Sequence, residues 1–568
     1  MKNVSAGKFL WASPLLFVLI VANAKAHVLS VPETYATISE AISASVAEDT
    51  ILVNRGIYPE QLWFPAHRIY VMSHYELTGD TLDVSQTVIE GYSYAEEDTA
   101  TIALFLPGSA NGSKLCGFTL QGGHGMLTSF GGRWSATFYA DSSSPVICHN
   151  VITGNTCDHT PIGNFVFCSG EFRGNHIFDN TFTQTGLRIL NDLYTAPVIV
   201  EGNVFGANPS SEAALYPGIL LEPNTSAVIR NNLFRGIVGQ SDVAVTTHGS
   251  REVLIENNVF DSLTVTGYLS PIVWLYATTE DVVIRDNVFS NLQIADGAAL
   301  MVMSGQNWYD VLLEGNVFEN NSAPGPYSNA GVWLDGYNGV IRNNIFRSNR
   351  ASISAAIQLI SGGSPAAPTG MTMEYNLIEA CSTFSLFPQT APITRSYDGP
   401  FIARNNIFRQ NYPMVIGKDG VHYSRIADFM HNYWGDASGP YHPLLNPDGL
   451  GDTVGDSVLF EPWLTDSVIS SAPENPVPLP EKFSLESYPN PFNPETKLVL
   501  TVPEPGRYRL TLYDLLGREI REVWEGAVVI HRVVPLFAGD LPSGVYFARA
   551  TASLTHHSVA TAKLVLVK

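Results

Sequence analysis

Two tryptophans and three ionisable side chains recur at one register of this 568-residue chain. They stand in six short segments, "GILLEP", "VAVTTHG", "IVWLYA", "LMVMSG", "GVWLDG" and "AIQLIS", spread over residues 218–361. Side chains alternate along a strand. With Ile219/Leu221, Val273/Leu275, Met301/Met303 and Val332/Leu334 facing inward, two columns face out. One reads Leu220, Thr246, Trp274, Val302, Trp333, Gln358. The other reads Glu222, His248, Tyr276, Ser304, Asp335, Ile360. Stacked strands would place Trp274 and Trp333 about 10 Å apart, a spacing that suits stacking on alternate units of an extended sugar chain, with Tyr276 beside them. Glu222, His248 and Asp335 are acid/base candidates on the same face. A solvated polar column, with the tryptophans beneath a long loop, is the alternative.

A second set of ionisable residues lies in "NPDGLGDTVGD", where Asp448, Asp452 and Asp456 share one loop with Asn446. Carboxylates and amides on a loop can ligate Ca2+. The spacing is not that of an EF-hand, and a polar loop covering the last coil accounts for the same residues. No other cofactor is implied. "QGGHG" is reminiscent of a polygalacturonase motif at Gly123-His124-Gly125. That family also needs an "NTD" and an adjacent Asp pair for its paired-carboxylate hydrolysis, and neither occurs in this chain. A pectate-lyase-like Arg-x-Pro-x-x-Arg segment is missing too.

The elements that position these residues repeat. An Asn recurs at Asn175, Asn203, Asn232, Asn258, Asn287, Asn316, Asn344, Asn376, Asn406 and Asn432. A period of about 26 to 32 residues marks a solenoid. Two residues after each Asn stands a large apolar side chain, Phe in most coils, and a short β-branched run precedes it. That is a coil of strands rather than a helix pair. Two residues before each Asn the charge alternates: Arg173, Glu201, Arg230, Glu256, Arg285, Glu314, Arg342, Glu374, Arg404. Opposite charges attract when equivalent residues of neighbouring coils lie side by side. The alternation therefore predicts a parallel β-helix stacked in register. Stacked Asn amides, each both donor and acceptor, would line one bend.

Residues 1–26 pair Lys2 and Lys8 with an apolar run of about a dozen residues and a small-x-small site at Ala24-Lys25-Ala26, a signal peptide. No later segment is expected to span a bilayer. Five cysteines are too few for a disulfide framework. Cys157 and Cys168 can close one loop, and burial as small apolar residues is the other reading. A formal charge of −22 excludes a nucleic-acid partner, which needs basic patches.

Thr37 and Glu40 form a capping box ahead of Ile38, Ala41 and Ile42, a short helix that would close the first coil, "TILVNRGIY". This helix and strand, with "CGFTLQGG" and "NYWGDASGPYHPLLNPDGLGDTVGD", resemble the right-handed parallel β-helix, or pectin-lyase-like, proteins. The resemblance covers residues 28–465 and implies a fold that carries lyases, hydrolases, epimerases and non-catalytic surface proteins alike. The expected fold class is all-β: a β-helix over residues 27–468, a Pro-rich linker over 469–482, and an Ig-like β-sandwich over 483–568. "YPNPFNP", "LYDLLGREI", "SGVYFAR" and the terminal lysine make this last stretch similar to the type A sorting domain of the type IX secretion system. That likeness implies export through the periplasm and outer membrane, the secretion machinery as partner of 483–568, removal of this domain, and a passenger released or held at the cell surface. From the Trp274/Trp333 face the passenger is expected to bind or process polysaccharide. A structural or adhesive surface protein is the alternative.

Overall fold

The computed structural model describes residues 26–467 and 483–567 apart from short segments, the longest being 92–98, 209–215, 361–369 and 419–425. The signal peptide and the Pro-rich linker lie outside the described residues, Ala26 excepted. Parallel strands stack coil on coil into sheets of 16, 13 and 13 strands, with a narrower sheet of six, and in each the spatial order follows the chain. One coil shows the plan: Val282–Arg285, Val288–Ser290, Gln293–Ile294 and Ala298–Ser304. The first two bends turn on left-handed residues, Asp286 and Asn291, both at φ 56°. Short polar side chains tolerate that conformation best after glycine, which is why Asn, Asp, Ser and Gly punctuate the strands.

The charge alternation is in register from Arg173↔Glu201 to Glu374↔Arg404. Most of its arginines turn back, while Arg404 turns forward to Asp428 of the following coil. Arg230, Arg285 and Arg342 each turn back to the Glu of the preceding coil, Nε to carboxylate 3.0, 2.8 and 2.7 Å. Arg173 instead meets Glu171 of its own strand at 3.2 Å. A second charged column escaped the sequence reading. Glu379 lies between Arg347 and Arg409, at 3.0 and 2.7 Å, and the two arginines together hold its carboxyl below the usual range against the opposing effect of burial.

The Asn column runs from Asn150 to Asn432. Each Nδ2 donates to the next Oδ1 at 2.9–3.1 Å. The same Oδ1 accepts the backbone N–H of the preceding Asn, and Nδ2 also donates to a carbonyl one coil back, as Asn287 does to Ile255 O at 2.9 Å. These groups are buried and would be costly unpaired. Five residues further on lies a second column the sequence reading missed. Asn155, Asn180 and Asn208 open it, and Asn321, Asn349, Cys381 and Asn411 continue it. Beside both columns Phe205, Phe234, Phe260, Phe289, Phe318 and Phe346 stack with centroids 4.6–5.0 Å apart.

The helix Ile38–Ala44 caps the first coil as expected. Thr37 accepts from the Glu40 N–H, Glu40 accepts from Ala36, and Ile38, Ala41 and Ile42 are buried. Glu60 adds a grip the sequence did not announce, its carboxylate accepting the Ile38 and Ser39 N–H groups.

The Cys157–Cys168 loop is corrected, and the burial reading holds for Cys157, Cys168 and Cys381. Cys116 pairs with Cys148, one coil apart, while Cys157, Cys168 and Cys381 are buried and free. The physical reason is register. Cys116 pairs across the ladder with Cys148, and Cys148 with Arg173, so the disulfide is the first rung of the charge column. Cys157 instead donates its thiol to Arg133 O, and burial pushes it up to about 11.

Residues 483–567 form two antiparallel sheets of three and four strands over one apolar cluster that includes Leu498, Leu510, Leu536 and Leu564. Among the described residues no helix is long and apolar enough to cross a membrane.

Candidate functional site

The candidate face is the outer side of the sheet running from Leu62–Trp63 to Ile416–Lys418. Its inner side is apolar in the central coils apart from the buried Thr247: Val245, Val273, Leu300 and Val332 are fully buried and pair in sequence. That register corrects one coil. Met301 lies between Trp274 and Trp333, and Met303 between Tyr276 and Asp335, so Val302 is inward and Ser304 falls at the strand end. Irregular pairing at Tyr276/Thr278, where Ala277 takes a left-handed φ of 52°, and again at Ala298/Leu300 shifts the count by one residue. A one-residue shift flips every side chain to the other face. "AALMVMS" holds no interior polar residue to reveal it.

Trp274 and Trp333 therefore do stand two coils apart on the outer face. Both are half-buried, and both indole Nε1 atoms are buried with no acceptor among the described residues. What each ring shows to solvent is carbon. Trp274 meets Tyr276, 41% exposed, at 5.3 Å and the His248 ring at 6.2 Å, and Tyr216 closes edge-on to His248 at 5.4 Å. The aromatic strip reaches further than the sequence reading placed it. Arg188 lies over Trp134 at 5.2 Å, and Trp134 stacks on His159 at 4.2 Å. Along one border Tyr268 and Tyr327, 67% and 55% exposed, meet edge to face at 6.3 Å. A search for aromatics two coils either side of Trp274 would have found Tyr216; the Trp134 pair comes from an irregular loop without a periodic signal.

The acid/base candidates are not gathered. Glu222 and Asp335 are four coil steps apart, about 19 Å at ordinary strand spacing, where paired-carboxylate hydrolysis needs about 5–9.5 Å. His248 adjoins Glu222 by one step, but the Glu222 carboxylate accepts from Arg188 Nε at 2.8 Å. Farther down the strip, burial pushes the Tyr139 hydroxyl up to about 12, with Asp141 beside it adding to the rise.

The loop carboxylates are not gathered either. Asp452 accepts from the Asn411 N–H and from its Nδ2 at 2.7 Å, continuing the second Asn column. Burial raises its carboxyl to about 6. Asp456 is 3.2 Å from His442 Nε2, and Asp448 is exposed. The calcium expectation for Asp448, Asp452 and Asp456 finds no common centre in these side chains. His124 lies in a glycine-shaped turn: a Cβ on Gly123 would come within 2.2 Å of Ala136 O. The one His/Cys/acid cluster among the described residues joins Glu76, Cys148 and His149. There the thiol is committed to its disulfide, and Glu76 bonds His149 Nδ1 at 2.6 Å.

Residues 217–408 match the family model of the right handed beta helix region. The matched stretch, 192 of the 568 residues, holds the coils of Trp274, Tyr276 and Trp333, and the parallel stacking of its strands agrees with that family. No curated protein matches the chain.

Proposed function

We propose that this chain is a secreted polysaccharide-binding β-helix whose ligand lies along the face of Trp274, Tyr276 and Trp333. The observation that carries this reading is a pair of half-exposed indole rings two coils apart, with the exposed Tyr276 beside the first of them. Flat apolar rings with nearby polar edges suit sugar faces, which offer C–H surface and hydroxyls at once. Separation of Glu222 from Asp335, and the commitment of Glu222 to Arg188, favour binding over cleavage. Residues 483–568 would serve as the export signal for the type IX machinery and be removed at the cell surface. Their sequence boxes support that role.

The test is affinity electrophoresis of the full chain in gels holding soluble polysaccharides, with light scattering of the same polymers after incubation. Retardation that Trp274→Ala abolishes, with polymer mass unchanged, is the expected result. Falling polymer mass would make the protein an enzyme. Free migration through every gel would favour a structural or adhesive solenoid instead.

A further inference from the structure

On this glycan-binding reading, we propose that the face takes neutral or amine-bearing glycans and turns polyuronates away. The overall charge points that way first. Residues 27–482 hold 19 Lys and Arg against 45 Asp and Glu, a net −26, which raises the work of bringing a polyanion close. The local inventory is more decisive. Between the strands Phe138–Asp141 and Ile357–Ile360, the described outward columns hold Asp141, Glu222 and Asp335 but one permanent cation, Arg188.

That cation is committed twice. Its Nε donates to Glu222 at 2.8 Å and its guanidinium covers Trp134 at 5.2 Å. A uronate carboxylate laid along the strip would have to break that pair or lose its hydration without a partner. His159 and His248 are the two imidazoles there, stacked on Trp134 and set edge-on to Trp274. The other named residues of these columns are uncharged: Trp274, Trp333 and Tyr276 reach solvent, while Leu220, Thr246, Met301 and Gln358 are buried. The sulfur-bearing Met301 lies between the two indoles, and the Tyr268–Tyr327 pair stands at the border. A neutral sugar face loses little hydration against such rings. A protonated amine gains from their π faces and from Asp335.

Affinity electrophoresis of the full chain, in chelator and at low and high salt, decides the matter with three probes. These are hydroxyethylcellulose as neutral chain, chitosan as amine-bearing chain and polygalacturonate as uronate. Expected are salt-insensitive retardation by hydroxyethylcellulose, retardation by chitosan that weakens with salt, and free migration with polygalacturonate. Asp335→Asn should weaken chitosan binding by up to roughly fivefold, the ceiling for one solvent-screened charge pair, and weaken hydroxyethylcellulose binding less. Retardation strongest with polygalacturonate would overturn the charge assignment while glycan binding stood. Free migration with all three probes would overturn glycan binding itself, and the assignment with it.

Discussion

Along the ladder side of the solenoid, neighbouring coils carry the same Asn, the same Phe or an opposite charge. Along the face of Trp274, no two neighbouring rungs carry the same residue: Arg188, Leu220, Thr246, Trp274, Met301, Trp333 and Gln358 succeed one another. The two regions share one backbone plan and differ in what constrains their side chains. On the ladder side each side chain satisfies the next, so a change in one coil is felt by two. On the aromatic face no such column binds the rungs together: Leu220, Thr246, Met301 and Gln358 are buried, and Arg188, Trp274 and Trp333 are half-exposed. Repetition marks the part that holds the fold, and its interruption marks the part free to specialise.

The difference breaks most sharply at the Asn column. Asn287→Ala would orphan the buried amide of Asn258 and the Ile255 carbonyl, a loss on the order of 4 kcal/mol at 1–3 kcal/mol per orphaned group. Chemical denaturation of the two proteins measures it. Replacing Cys116 and Cys148 together by Ala removes a cross-link spanning 32 residues, a loss of about 2–4 kcal/mol. Hydrogen exchange should place that loosening in the first coils.

Asp452 tests the ladder by titration. Its folded carboxyl is raised to about 6 from a reference of 3.8. A raised acid stabilises the fold in its protonated form, fully below pH 3.8, and that contribution is lost as pH rises through 6. The span is about 3 kcal/mol. Protonated Asp imitates the Asn that the column would otherwise place there. Asp452→Asn should therefore stabilise the last coil at neutral pH and flatten the pH dependence of its melting between 4 and 6.

The charge column is weaker. Arg285→Glu sets three acids in consecutive coils and should cost about 1–2 kcal/mol in low salt, and less when salt screens it. A melting shift insensitive to salt would show that the alternation contributes little beyond side-chain packing. Smallest on the stability scale is Trp274→Ala, expected within about 1 kcal/mol of the parent although glycan retardation is lost. Equal losses of stability and binding would dissolve the distinction between the two regions.

Much of the ladder side was legible in the sequence. The alternation from Arg173 to Arg404, the Asn from 175 onward and the Thr37/Glu40 cap all came through as periodic or local signals. Cys148 was legible too, since it stands two residues before Asn150, the ladder position, yet proximity in sequence favoured the Cys157/Cys168 loop. On the candidate face Trp274, Tyr276 and Trp333 were placed in the right columns, but Met301 and Met303 were not. The Arg188–Glu222 bond and the stacking of Trp134 on His159 gave no periodic trace.

The sequence by itself determined the coil, its register and its N-terminal cap, because a stacked repeat samples one environment again and again and writes it into residue type. Only the tertiary structure decided which cysteines pair, which methionines face out, which carboxylates are already engaged and that Glu222 and Asp335 lie four coils apart. Those outcomes depend on turn lengths and single-residue bulges. One added residue leaves the composition of a strand unchanged and reverses the direction of every side chain in it.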